Sequence, residues 1–160
     1  MEHRGIEAVK AWVAARGGAV SFHELPAETP TVAATARVLG VPPEAVMKSL
    51  VFLVAGASCL IIANGERRVS ERRLAEAFGV GRKRVRMASA EEAFALTGFR
   101  VGRMPPFGHA RPLPTLLDRA ALEQERLWGG AGDPLVLCSL TPGELARLTE
   151  ARILEISEGG

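Results

Sequence analysis

The sequence predicts a mixed α/β (α+β) fold, a mainly antiparallel mixed sheet flanked by helices. Strand-like runs outnumber helical ones, several strands follow one another directly, and short helices start at recognisable caps. "GIEAVKAWVAARGG" places Ile6, Val9 and Val13 at helical spacing, and Gly17-Gly18 end that helix. "AVSFHEL" alternates as a short strand, and "TPTVAATARVLGV" reads as a second helix stopped by Gly40. The prolines of "PPEAVMK" suit a first helical turn that delivers Lys48 to the next strand. Ser49 to Val54 and Cys59 to Ala63 form a hairpin across the small residues Ala55 to Ser58. Both runs are wholly apolar, which predicts burial on two faces. Ser70 caps a helix that ends near Phe78 and Gly79, and "RVRMA" is another strand. Ser89 with Glu92 forms a capping box for "AEEAFALTG". "FRVGRMPPFGHARPLPT" follows as a shaped loop rich in Gly and Pro. "TLLD" and "RLWGG" are short strands around a helical turn at Arg119 to Glu123, "GGAGD" is a loop, and "PLVLCSL" is a strand. Thr141 to Glu144 is a second capping box, and "RILEI" closes the chain as a last strand. There is no internal repeat or linker, so residues 1–160 read as a single domain.

Composition narrows the function classes. No apolar run approaches the roughly 20 residues of a membrane span. The N-terminus lacks the basic start and apolar core of a signal peptide. Cys59 and Cys138 sit in strand-like runs, which suggests free thiols in a reducing, cytoplasmic setting. The net charge is only +2, but Glu66 to Arg86 holds eight Lys/Arg against three Glu, a local +5. Such clustering fits a phosphate-bearing partner as well as it fits a solvated helix face. Arg67, Arg72, Arg82 and Lys83 are the candidate phosphate contacts. With no Tyr, six Phe and two Trp, stacking of bases on an aromatic platform has little support.

The common catalytic constellations are missing: no G-x-S-x-G elbow, H-E-x-x-H, Walker A loop or G-x-G-x-x-G. His3, His23 and His109 are scattered without a nearby cysteine, so a metal is not expected. What remains is a lysine and two backbone-rich segments. Seventeen arginines accompany only three lysines, and one lysine, Lys48, heads the apolar run "SLVFLVA". An ammonium is a compact point charge whose pKa moves readily on desolvation. It is therefore either a snorkelling strand end or a group placed for chemistry. Gly102 to His109 and Gly129 to Gly132 can present main-chain donors and acceptors in fixed geometry, or can be tight turns.

In order, "TPTVAATARVLGVPPEAVMKSLVF", "LTGFRVGRMPPFGH", "TLLD" and "WGGAGDPLVLCSLTPGELARLT" resemble the YbaK/ProX family. These are aminoacyl-tRNA deacylases, also found as editing domains attached to prolyl-tRNA synthetases. The resemblance implies a curved central sheet and a pocket for the 3′-terminal aminoacyl-adenosine. It implies ester hydrolysis without a metal or organic cofactor, with Lys48 as the catalytic residue and Gly102 to Pro106 as the substrate loop. Arg103, Phe107, Gly108, His109, Gly130, Ala131, Gly132 and Asp118 complete the candidate substrate-binding set. Asp118 either binds substrate or caps the following turn, and His109 either contacts substrate or finishes the loop. Arg103 replaces a small residue of many relatives and either narrows the pocket or reaches tRNA phosphate.

The expected function is a freestanding trans-editing deacylase for mischarged tRNA, with tRNA for proline carrying cysteine or alanine as substrate. Its expected partners are the tRNA 3′ aminoacyl end and prolyl-tRNA synthetase, with no membrane. The alternative is a non-catalytic tRNA- or synthetase-binding module of the same fold.

Overall fold

A computed structural model describes residues 3–159. Helix α1 (Ile6–Ala15) leads to β1 (Ser21–Glu24) and α2 (Val32–Leu39). Thr31 caps α2 by accepting the Ala34 N–H, and Gly40 ends it in the left-handed conformation. A 3₁₀ turn at Pro43–Ala45 then delivers the chain to β2 (Met47–Val54). Strand β3 (Ala57–Asn64) returns antiparallel. The hairpin is tighter than its composition suggests: Ala55 and Gly56 alone make the turn, both at positive φ, and Ala57 already pairs with Val54.

Helix α3 (Glu71–Phe78), β4 (Val85–Met87) and α4 (Ala90–Thr97) follow, α4 opening on a complete capping box between Ser89 and Glu92. After the Gly/Pro loop come β5 (Thr115–Asp118), a 3₁₀ turn at Arg119–Glu123, β6 (Leu127–Asp133) and β7 (Val136–Leu140). Helix α5 (Pro142–Thr149) and β8 (Arg152–Leu154) complete the order. Two expectations need correction here. "GGAGD" is not a loop but the last five of the seven residues of β6, with a register shift between Gly130 and Asp133. The α5 capping box is half formed: Thr141 accepts the Glu144 N–H, while the Glu144 carboxylate takes the Ala19 N–H and Arg147 instead.

The strands form two sheets, β4-β2-β3-β5-β8 and β1-β7-β6. Of the strand pairs among the described residues, only β3–β5 and β5–β8 run parallel. A parallel bridge between Val46 and Trp128 joins the sheets at the start of β2. Period-2 alternation explains the apolar stretches 50–54 and 59–63 of the hairpin. Leu60, Ile62 and Leu117 enter one core with β6, β7, α1 and α5, while Cys59, Ile61 and Leu116 enter another beneath α3. Both faces of the large sheet are therefore covered, as expected.

Candidate functional site

Lys48 is the second residue of β2, opposite Ala63 of β3. Its ammonium donates to the Arg67 carbonyl at 3.0 Å. Burial, reinforced by the Arg68 guanidinium, lowers its pKa below the ordinary 10.5, with Glu66 acting in the opposite direction. Beside it, β2 has an open edge. Strand β4 covers only Phe52–Val54, with the Ala88 N–H adding one bond to the Val51 carbonyl. Alternation along an antiparallel ladder sends the Ser49 main-chain groups to the same side as those of Val51. No strand partner meets Ser49 there, and Ser49 lines a cavity of about 230 Å³.

That cavity gathers Lys48 and Ser49 from β2, Gly102 and Met104 from the Gly/Pro loop, and Gly129 and Gly130 from β6. Thr29, Thr31 and Thr35, before and at the start of α2, line the same cavity. The Thr35 hydroxyl lies 2.7 Å from that of Thr29 and 3.0 Å from the Thr31 carbonyl, so the three are mutually braced. The β6 glycines are required by packing. A Cβ on Gly129 would lie 2.7 Å from the Met47 side chain, and one on Gly130 would lie 2.7 Å from the Met104 carbonyl. The strand is thus the floor on which β2 and the loop rest.

The sequence-predicted site divides. Lys48, Gly102 and Gly130 meet in this cavity. Pro106, Phe107, Gly108 and His109 instead line a second one of about 300 Å³ with Trp12, Arg16 and Leu148. There Phe107 stacks on Trp12 at 4.8 Å, and Arg16 covers the Trp12 ring at 3.9 Å. His109 Nε2–H donates to the Pro105 carbonyl at 2.8 Å, and burial holds its pKa below the usual histidine value. This is the loop role. Ala131 and Gly132 are buried and line neither cavity; the Gly132 N–H donates to the Arg103 carbonyl. Arg103 does not line the Lys48 cavity, and its guanidinium lies 3.6 Å from the Glu28 carboxylate.

Asp118 is buried away from the cavity, and its carboxylate accepts the Ile156 N–H and the Ser157 hydroxyl. It makes no side-chain cap on the 3₁₀ turn that follows, contrary to the capping expectation. Of the candidate phosphate contacts, Arg67 is exposed beside Lys48, while Arg72 pairs with Glu76 at 2.8 Å. Arg82 joins Arg72 and Arg73 around a shallow hollow, and Lys83 lies farther on with Arg84 and Arg86. Burial raises the Cys59 thiol to about 11 and the Cys138 thiol to about 12, so neither is an activated nucleophile. Among the described residues no group of His, Cys, Asp and Glu could hold a metal, and no helix is long and apolar enough to cross a membrane.

Sequence reasoning missed Ser49, the three threonines and the Arg67 carbonyl. Thr31 was signalled by its cap position and Ser49 by its place next to Lys48; the carbonyl carries no sequence signal.

A family model for the aminoacyl-tRNA editing domain matches residues 26–148, which hold every element lining the Lys48 cavity. The chain belongs to this family. The match agrees with the YbaK/ProX resemblance. Among solved structures, one described as a candidate trans-editing enzyme for prolyl tRNA synthetase is 34% identical, with TM-score 0.88 over 96% of this chain and 97% of that one. The hypothetical protein APE2540 is 32% identical, with TM-score 0.87 over 94% of this chain and 99% of that one. A scaffold protein from computational epitope grafting is 31% identical, with TM-score 0.87 over 97% of each chain. This editing domain therefore shares the architecture of these proteins across nearly all its length, α1 and β1 included.

Proposed function

We propose that residues 1–160 act as one cytoplasmic trans-editing domain that hydrolyses the ester of a mischarged tRNA, tRNA for proline carrying cysteine or alanine. The observation that carries this reading is the convergence of Lys48, Gly102, Gly130 and the open main-chain edge at Ser49 on one small cavity. A cavity of about 230 Å³ takes a small aminoacyl group and leaves the tRNA outside. The exposed Arg67 and the Arg82–Lys83 stretch supply cations for its phosphates.

In the reaction, a water oxygen attacks the ester carbonyl carbon and the carbonyl electron pair moves onto oxygen. Collapse expels the ribose oxygen, which takes up the proton that the attacking water gives up, leaving free amino acid and tRNA. An ammonium has three N–H donors, of which the Arg67 carbonyl uses one. The other two, with the Ser49 N–H, suit the developing oxyanion or the terminal nucleotide. Such donors lower the barrier because they are held before the charge appears. No protein nucleophile is needed, in keeping with the raised thiol pKa values.

The test is deacylation of tRNA for proline charged separately with alanine, cysteine and proline, by wild type and Lys48→Ala. Loss of a mischarged species that depends on Lys48 supports the reading and names the amino acid. Hydrolysis that survives Lys48→Ala rules out this mechanism. Tight binding of the charged tRNA without hydrolysis of any species would favour a binding module, with prolyl-tRNA synthetase as the partner to try first.

A further inference from the structure

The carbonyl that holds Lys48 sits on an irregular stretch, and what fixes that stretch lies far along the chain. Between β3 and α3, residues 65–70 form no helix and only one isolated bridge, Val69 to Ser157. Two further bonds flank the bridge: the Ser70 N–H donates to the Ile156 carbonyl and the Glu158 N–H to the Arg68 carbonyl, both at 2.7 Å. Residues 156–158 thus act as a short splint along 68–70, ending one residue from Arg67.

The splint is itself anchored by a single buried carboxylate. Asp118, at the end of β5, is 2% exposed and accepts both the Ile156 N–H, at 3.3 Å, and the Ser157 hydroxyl. Among the described residues it has no ion-pair partner within salt-bridge distance. Both carboxylate oxygens are therefore committed to the splint. A buried carboxylate is costly unless its acceptors are satisfied, so this arrangement resists any shift of segment 156–158. The bonds run in series: Asp118 to Ser157, the splint to Arg68 and Ser70, and the Arg67 carbonyl to the Lys48 ammonium. The same stretch carries Glu66 and Arg68, the two charged groups that act on Lys48.

We propose that Asp118 and Ser157 are positioning residues for Lys48, acting through segment 156–158 to hold the Arg67 carbonyl where it fixes the ammonium. Their catalytic meaning rests on the deacylase reading above, whereas their effect on Lys48 does not. Loosening the splint lets residues 66–68 withdraw, which hydrates Lys48 and removes Arg68 from its side; together these outweigh the loss of Glu66, the smallest of the three influences.

The chain has only three lysines, so the Lys48 side chain can be followed directly by NMR on lysine-labelled protein, with Lys48→Arg assigning the signal. In Ser157→Ala and Asp118→Asn the Lys48 titration midpoint should rise toward 10.5. Turnover should fall on the order of tenfold with KM little changed, because a displaced group costs the reacting geometry rather than binding. Ser157→Thr, which keeps the hydroxyl, should restore both values. Should Asp118→Asn fail to fold, the serine pair carries the test. A folded Ser157→Ala protein whose Lys48 midpoint stays at the wild-type value overturns the proposal, whatever its turnover. If the midpoint moves while wild type hydrolyses no aminoacyl-tRNA, the link to Lys48 stands and the deacylase reading falls.

Discussion

The loop from Gly102 to His109 faces two cavities, and its two halves are built on different physics. In the first half, Gly102 and the buried Met104 line the cavity that holds Lys48 and Ser49 of β2, while Arg103 between them does not. Gly102 is exposed there at φ +90, a conformation that a Cβ would strain. The second half is an anchor. Phe107 is buried against Trp12, His109 ties back to Pro105, and the Gly108 carbonyl accepts from Arg4 Nε at 3.1 Å. One continuous segment thus separates the work of holding from the work of lining the Lys48 cavity. The difference teaches that residues adjacent in a motif need not share a site.

The contrast can be broken by stability measurements. Phe107→Ala removes a fully packed aromatic and should cost about 3–5 kcal/mol in denaturant unfolding, while the protein that remains folded keeps its Lys48 chemistry. Lys48→Ala should do the reverse. Deacylation should drop on the order of a hundredfold or more, and Tm should move by only about 3 °C, since one half-buried hydrogen bond is lost. Equal stability losses in the two variants would erase the distinction between the halves.

Gly130→Ala probes the floor under both. Its new Cβ would lie 2.7 Å from the Met104 carbonyl and 2.9 Å from the Arg103 carbonyl carbon, so the backbone of the loop must shift. Overpacking of this kind should cost about 1–3 kcal/mol, with a parallel loss of turnover. Unchanged turnover would show that the loop need not rest on β6.

A smaller effect should appear with pH. Burial depresses the folded-state pKa of His109 below the ordinary 6.5, with the Pro105 hydrogen bond opposing and Arg4 adding to the shift. The unfolded chain therefore binds more protons through that window, so this stabilisation is complete above 6.5 and is lost as pH falls through the folded value. Thermal melts of wild type against His109→Gln from pH 7 to 5 should lose part of that slope in the variant, and identical slopes would remove His109 from the account. Smallest of all, Glu28→Gln breaks an ion pair whose glutamate is largely exposed. Its cost should stay below about 1 kcal/mol, and calorimetry showing more would mean that Arg103 braces the loop more strongly than a surface pair can.

Much of the fold was legible because local rules decided it. Ser70 and Ser89 cap helices as their types and spacing predict, and Gly40 and Gly79 end helices at positive φ. The apolar alternation of β2 and β3 announced two covered faces. The glycines of β6 misled because glycine signals a turn locally, whereas here it admits Met47, Met104 and Phe99 against a strand. Lys48 stood out as a rare ammonium at a strand mouth, but nothing local could say that its partner is a main-chain carbonyl.

The sequence by itself determined the elements, the family pattern and the lysine, because caps, turn residues and period-2 burial act between neighbours in the chain. Only the tertiary structure decided which of the motif residues share a cavity. It took Asp118 out of the cavity wall and placed it beneath the segment that steadies Lys48. Such placements depend on side chains meeting main-chain groups 19 residues away for Lys48 and 38 for Asp118, and every residue but proline offers the same N–H and C=O whatever its side chain.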